Sequence, residues 1–158
     1  MRRLATIGLI LCGALLVAAT AGASAKPVVP RTVQLRILHA TPALAYAPTR
    51  TAFGFRYVSW QKSPSNLEIT FDNMAGWEIR FIALRTSGSC RTGMEKSFQL
   101  DGNKVYWSHT GAEQMAWRCV TSPSGRQLRL VASSPQPPTT WADSGLGVIV
   151  ASGRWVTR

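Results

Sequence analysis

Leu67-Glu68-Ile69-Thr70-Phe71 and Trp77-Glu78-Ile79-Arg80-Phe81 stand on either side of Asp72-Asn73-Met74-Ala75-Gly76. In both outer runs apolar and polar residues alternate, the pattern of a strand with one buried face. The intervening Asp, Asn and Gly favour a tight turn, because they tolerate the backbone angles a reversal needs. The unit reads as an antiparallel hairpin, and the chain repeats the pattern on both sides of it.

Upstream, Phe53, Phe55 and Tyr57 alternate with Gly54, Arg56 and Val58, and Ser63-Pro64-Ser65-Asn66 supplies the turn. Downstream, Phe98-Gln99-Leu100 and Lys104-Val105-Tyr106-Trp107 flank Asp101-Gly102-Asn103, a strong hairpin signal. Residues 115–120 and 127–131 form two more strand candidates around Ser122-Pro123-Ser124-Gly125. Parallel crossovers need a dozen or more residues, so short turns imply antiparallel pairing. The expected fold is mainly β within the α+β class: an antiparallel sheet of six to seven strands with a short C-terminal helix.

That helix is read over residues 141–151. Thr140-Trp141-Ala142-Asp143 has the form of a capping box, and Trp141, Val148 and Ile149 are expected to face the sheet. Gly145 and Gly147 each cost a helix about 1 kcal/mol relative to alanine. The β-branched run Val148-Ile149-Val150 leaves a strand ending at Ser152-Gly153 as the alternative. Ser133-Ser134-Pro135-Gln136-Pro137-Pro138 separates this segment from the strands.

The first 50 residues differ in kind. Arg2 and Arg3, an uncharged run over residues 4–25, and Ala23-Ser24-Ala25 before Lys26 follow the order of a secretory signal peptide, with Ala23 and Ala25 the small residues of a cleavage site after Ala25. A retained membrane anchor is the alternative, since the run is nearly long enough to span a bilayer. A lipid anchor fits less well, because Cys12 lies inside the run behind bulky Leu11. Residues 26–50 carry Pro27, Pro30, Pro42 and Pro48 around Val33-Gln34-Leu35-Arg36-Ile37. Proline blocks helix interiors and central strands, so an extended, partly docked arm is expected there. The organisation is then 1–25 signal, 26–50 Pro-rich arm and 51–158 a single β domain.

Composition agrees with an exported small domain. At 158 residues and 46% hydrophobic content the chain suits one domain with a buried core, which excludes wholesale disorder. Its 18 Lys and Arg face 7 Asp and Glu, a net charge of +11. Loss of Arg2 and Arg3 with the signal leaves sixteen basic residues against seven acidic, a charge of +9. Loss of Cys12 leaves Cys90 and Cys119, which allow one disulfide in an oxidising compartment. Two cysteines are too few for a Cys-based zinc site, and a Cys-x-x-Cys redox pair is absent. The expected location is secreted, periplasmic or associated with the cell envelope, with an N-terminal anchor if the signal stays. After cleavage no transmembrane segment is expected.

Phe53-Gly54-Phe55-Arg56-Tyr57-Val58-Ser59 resembles the opening "Pro-x-Gly-Tyr" strand of a small extracytoplasmic domain of unknown function. That domain occurs in bacterial secreted proteins, lipoproteins and the outer ends of anti-sigma factors. Phe71 through Gly76-Trp77-Glu78-Ile79, Gly102 through Trp107 and Ala151-Ser152 are similar to its later segments. The resemblance covers about residues 48–153, with Ala52 where the family usually has Pro. It implies an antiparallel sheet plus helix and a sensing or ligand-binding role, and it supplies no catalytic residue.

Chemistry-bearing constellations are sparse. Ser108 and His109 with Asp101 or Asp143 spell a triad, but adjacent strand residues point to opposite faces. No Gly-x-Ser-x-Gly elbow marks a nucleophile. Glu68 and Glu78 share a layer with Arg56 and Arg80, which suits cross-strand ion pairs better than a hydrolytic carboxylate pair. No metal-ligand cluster and no phosphate-binding glycine loop appears, so neither a metal nor another cofactor is expected. A secreted hydrolase is accordingly a weak alternative, and the chain reads as non-enzymatic.

The remaining feature is an arrangement of basic residues. In a simple meander, Phe53, Phe55, Tyr57, Leu67, Ile69, Phe71, Trp77, Ile79 and Phe81 share the buried face with Trp107, Trp117 and Cys119. Arg56, Trp60, Arg80, Lys104, Tyr106, Arg118 and Arg129 then collect on the opposite one. Arginine suits bidentate recognition of carboxylate or phosphate and stacks on aromatic rings. A merely solvated basic face is the plain alternative. The leading expectation is an envelope domain that binds an anionic partner through that face: an anionic polymer, a lipid head group or an acidic protein. Export separates the chain from most nucleic acid. A sensor or interaction module holding a lipid or peptide between sheet and helix is the second reading.

Overall fold

A computed structural model describes residues 27–52, 54–87, 90, 96–110, 113–135 and 142–158. In chain order the elements are α1 (Arg31–Ala40), a 3-10 turn (Pro42–Leu44), β1 (Tyr46–Pro48), β2 (Arg56–Lys62), β3 (Asn66–Asp72) and β4 (Glu78–Arg85). β5 (Lys96–Leu100), β6 (Asn103–Thr110), β7 (Glu113–Thr121), β8 (Gln127–Ser134), α2 (Ala142–Ser152) and β9 (Gly153–Trp155) follow. The fold is mainly β: a seven-stranded antiparallel sheet in the order β2-β3-β4-β8-β7-β6-β5, with the C-terminal helix α2 and a separate β1–β9 pair.

The sheet is not a single meander. Two runs of consecutive hairpins, β2–β3–β4 and β5–β6–β7–β8, meet where β4 pairs with β8. β8 is therefore interior, and its last residues, Leu130 through Ser134, are all buried. Ser133 and Ser134 belong to that strand rather than to the Pro-rich linker, and Ser134 donates its hydroxyl to Glu78 O on β4. The Asp101-Gly102 reversal is the tight hairpin expected, with φ of 50° and 72° and Leu100 opposite Asn103.

One face of the sheet carries the main core. Leu67, Ile69 and Phe71 pair in register with Ala83, Phe81 and Ile79, and Leu130 and Ala132 continue the layer onto β8. Each large side chain buried in this way contributes about 1.5–3 kcal/mol relative to exposure. α2 covers β6, β7 and β8 with Leu146, Ile149 and Val150. Gly147 lets it settle close to β5, since a Cβ there would stand 2.7 Å from the Phe98 ring. The segment proves to be helix and then strand: after Ser152 the chain turns into β9, whose Trp155 meets Tyr46 edge-on at 5.1 Å between ring centroids. Trp141, expected to face the sheet, lies outside the described residues.

Three expectations need correction. The segment read as an extended arm contains helix α1, and Val29, Ile37, Leu44 and Tyr46 belong to the same core as the sheet. The prolines flank this helix: Pro30 is its N-cap, where no N–H is needed, and Pro42 lies beyond its end. Residues 27–50 are thus part of the domain, tied further by Val156 N–H donating to Ala45 O at 2.7 Å. Second, β2 carries an irregularity between Tyr57 and Ser59 that shifts its alternation by one residue. Val58 is left exposed and Trp60 moves to the core face opposite Ile69. Phe53 lies outside the described residues.

The third correction concerns β7. Ala116 and Arg118 take the helix-facing side, and Trp117 and Cys119 take the other. Ala116 lies opposite Ala132, and these small side chains leave room for α2 above them. Tyr106, Trp117 and Val131 form a second, smaller buried cluster with Ile82, Leu84 and Met115 on the outer face of the sheet.

Candidate functional site

β6, β7 and β8 bring the outer-face aromatics and cations together. Tyr106 lies opposite Trp117 in register, and the rings stack at 6.0 Å with 22° between their planes. Lys104 Nζ sits 5.5 Å from the Tyr106 ring centre, and the Arg129 guanidinium lies 5.9 Å from that of Trp117. The result is a file running Lys104, Tyr106, Trp117, Arg129 across three strands. A cation over an aromatic face gains about 0.5–1 kcal/mol at an exposed site, which is enough to bias where the charge rests.

The disulfide borders this file. Cys90 and Cys119 Sγ lie at bonding distance, 2.04 Å, and Cys119 is the register partner of Arg129. Arg129 Nη2 also donates to Cys90 O at 3.0 Å. That bond uses one of five guanidinium donors, so the head is aimed without being exhausted. Among the described residues, buried Trp117 Nε1 finds no hydrogen-bond partner.

Arg56 and Arg80 share the outer face but stand among acids. Arg56 lies opposite Asp72, and Arg80 Nε is 3.0 Å from Glu78 Oε1. Glu68 accepts from Gln61 Nε2 at 3.1 Å, so neither Glu68 nor Glu78 faces the other across a cleft. By contrast, Glu113 is the sole acidic residue on strands β5 to β8, which carry Lys96, Lys104, Arg118 and Arg129. Of these, Lys104 and Arg129 stand on the outer face with Glu113, whereas Lys96, opposite Trp107, and Arg118, opposite Leu130, stand on the helix side.

Trp60 and Arg118 do not join the file. Trp60 packs on the core side of β2. Arg118 lies beneath α2, where its guanidinium donates to Asn103 Oδ1 and Gly153 O. Burial and the nearby Arg154 pull its pKa below the ordinary arginine value, while Tyr46 opposes them. Arg154 Nη1 donates to Ala151 O at 2.7 Å, so two arginines meet the carbonyl end of α2, where the helix dipole favours positive charge. Sequence reading missed this capping role because strand parity was judged from the apolar residues Trp117 and Cys119. The neighbouring alanines carry the better signal.

Ser108 and His109 are consecutive in β6. Among the described residues no three of His, Cys, Asp and Glu come together as a metal site, and no helix is long and apolar enough to cross a membrane. No family model, characterised protein or solved structure shows a detectable match to the chain.

Proposed function

We propose that this chain is a non-enzymatic, exported envelope domain that binds a polyanionic partner along β6, β7 and β8. The supporting observation is the Lys104–Tyr106–Trp117–Arg129 file on the outer face of these strands, where Glu113 is the sole acid. Two cations held by rings and a disulfide-anchored carbonyl lose little freedom on meeting carboxylates or phosphates, which lowers the ordering cost of binding. Arg80 and Arg56 extend the face but begin partly neutralised, so they contribute less. The resemblance to the extracytoplasmic "Pro-x-Gly-Tyr" domain accords with a binding role. Export, which the signal-like leader implies, places the protein among anionic wall polymers.

Such binding releases counterions and weakens steeply as salt rises. The test is sedimentation of the purified protein with cell-wall fractions at low and at high salt. Retention at low salt that is lost at high salt supports the reading. Binding that ignores salt, or no binding, contradicts it.

A further inference from the structure

Charge on the outer face is sorted along the strands. One register row runs Tyr106, Trp117, Val131, Ile82 and Glu68 from β6 to β3. Toward the β3–β4 and β6–β7 turns, Asp72, Glu78 and Glu113 each stand four residues beyond that row, about 13 Å along their strands. Toward the β7–β8 turn the next row holds Arg129 with its register partners Cys119 and Leu84. Lys104 stands level with it, two residues before Tyr106 as Cys119 is two after Trp117. No acid lies on that side of the outer face among the described residues. Asp101, in the β5–β6 turn at the same end, is paired with Arg50.

Two more cations stand at this end. Arg85 closes β4, and Arg126 lies in the turn before β8; both are exposed, and neither has an ion-pair partner among the described residues. Arg85 is opposite Leu128, and Arg126 exchanges backbone bonds with Ser122, so both have helix-side parity. They terminate their strands, however, and a long side chain there can carry its charge round the rim.

Carboxylates repel a polyanion, so its path from Lys104 and Arg129 leads away from Glu113, Glu78 and Asp72 and over this rim. Lys104 and Arg129 are two strand spacings apart, about 10 Å, and Arg126 lies about 10 Å further along the chain of β8. A single head group does not span such a set, whereas a linear polymer charged at each repeat does. We infer that the partner is a linear polymer with an anionic group on every repeat, which leaves the sheet face across the β7–β8 end and takes Arg126 and Arg85 as further contacts. The inference rests on the proposed polyanion binding and adds the class and path of the ligand.

The probes are a soluble polyglycerol phosphate, monomeric glycerol 1-phosphate and phosphatidylglycerol vesicles. Arg126→Gln and Arg85→Gln should each weaken polymer binding about fivefold at low salt and flatten the slope of log affinity against log salt by about one. Lys96→Gln, an equal loss of charge on the helix side near the acidic end, should leave affinity and slope close to those of the parent. At equal phosphate concentration the monomer should not displace the polymer. Unchanged binding by Arg126→Gln and Arg85→Gln, while Lys104→Glu with Arg129→Glu lowers it, overturns the path and leaves the sheet-face reading standing. A loss in Lys96→Gln as large as in Arg126→Gln also overturns the path, since net charge alone would then govern binding. Displacement by the monomer, or vesicle binding as tight per phosphate as polymer binding, overturns the polymer class. A parent protein that binds no polymer overturns both readings.

Discussion

Arg118, near the middle of β7, donates through Nη2 to the carbonyl oxygen of Gly153, just past the end of α2. A second donor, Nη1, reaches Asn103 Oδ1 on β6. The guanidinium has no carboxylate partner among the described residues; one carbonyl just past the helix end and one amide oxygen take two of its donors, and Nε finds no partner there. Replacing it removes two hydrogen bonds from a charged donor, about 1.5–3 kcal/mol each, and leaves Gly153 O with Arg154 Nη1 alone at 3.0 Å. Arg118→Leu should therefore lower stability by about 3 kcal/mol in urea unfolding, and Arg118→Lys should restore only part. A loss below about 0.5 kcal/mol, the scale of ordinary surface changes, would refute the capping role.

The Cys90–Cys119 link closes a separation of 29 residues. Chain-entropy reasoning gives a loop of that length about 3–4 kcal/mol. Cys90→Ser with Cys119→Ser should lower the urea midpoint accordingly, and reductant should shift the parent protein and leave the double variant unmoved. The same pair fixes the Cys90 carbonyl that Arg129 contacts, so reduction should also weaken polymer retention.

Burial pushes the phenol of Tyr46 above the ordinary tyrosine pKa, with Arg118 opposing, and burial likewise raises Tyr57 against Arg36. The folded state then keeps protons that the unfolded chain releases near pH 10. Stability from this source is present below about pH 10 and is lost as pH climbs toward the raised folded values. Urea midpoints between pH 8 and 11 should fall, on the ordinary tyrosine scale, and Tyr46→Phe should flatten the fall. An equally steep decline in that variant would remove Tyr46 from the account.

Gly102 has φ of 72° in the hairpin between β5 and β6. An L side chain in that region costs about 1–2 kcal/mol. Gly102→Ala should lose about that much in urea unfolding. Because Asn103 also anchors Arg118, a larger loss would show that the turn and the cap are coupled.

The strand pattern was legible wherever one face meets the core and the other meets water, as at Leu67-Glu68-Ile69 and Ile79-Arg80-Phe81. It misled at Trp117, because the outer face buries a second apolar cluster and both parities of β7 then look plausible. It misled at Trp60, because a one-residue irregularity in β2 inverts everything beyond it. In α1 the prolines drew attention away from Val33 and Ile37, whose four-residue spacing marks the helix. Lys104, Tyr106 and Arg129 were legible as one face. The division of the cations between the two faces was not, since Arg118 follows the parity of β7.

The central claim is that Lys104 and Arg129, positioned on Tyr106 and Trp117, bind polyanions. The most direct measurement is the affinity of the purified protein for a soluble polyglycerol phosphate over a series of salt concentrations. Log affinity is expected to fall linearly with log salt. Lys104→Glu with Arg129→Glu should lower the affinity and flatten the slope by about two units, while the chain stays folded and the urea midpoint falls only by the lost Arg129–Cys90 bond and ring contacts. A parent protein without salt-dependent affinity, or a double variant with the parent's affinity and slope, would contradict it.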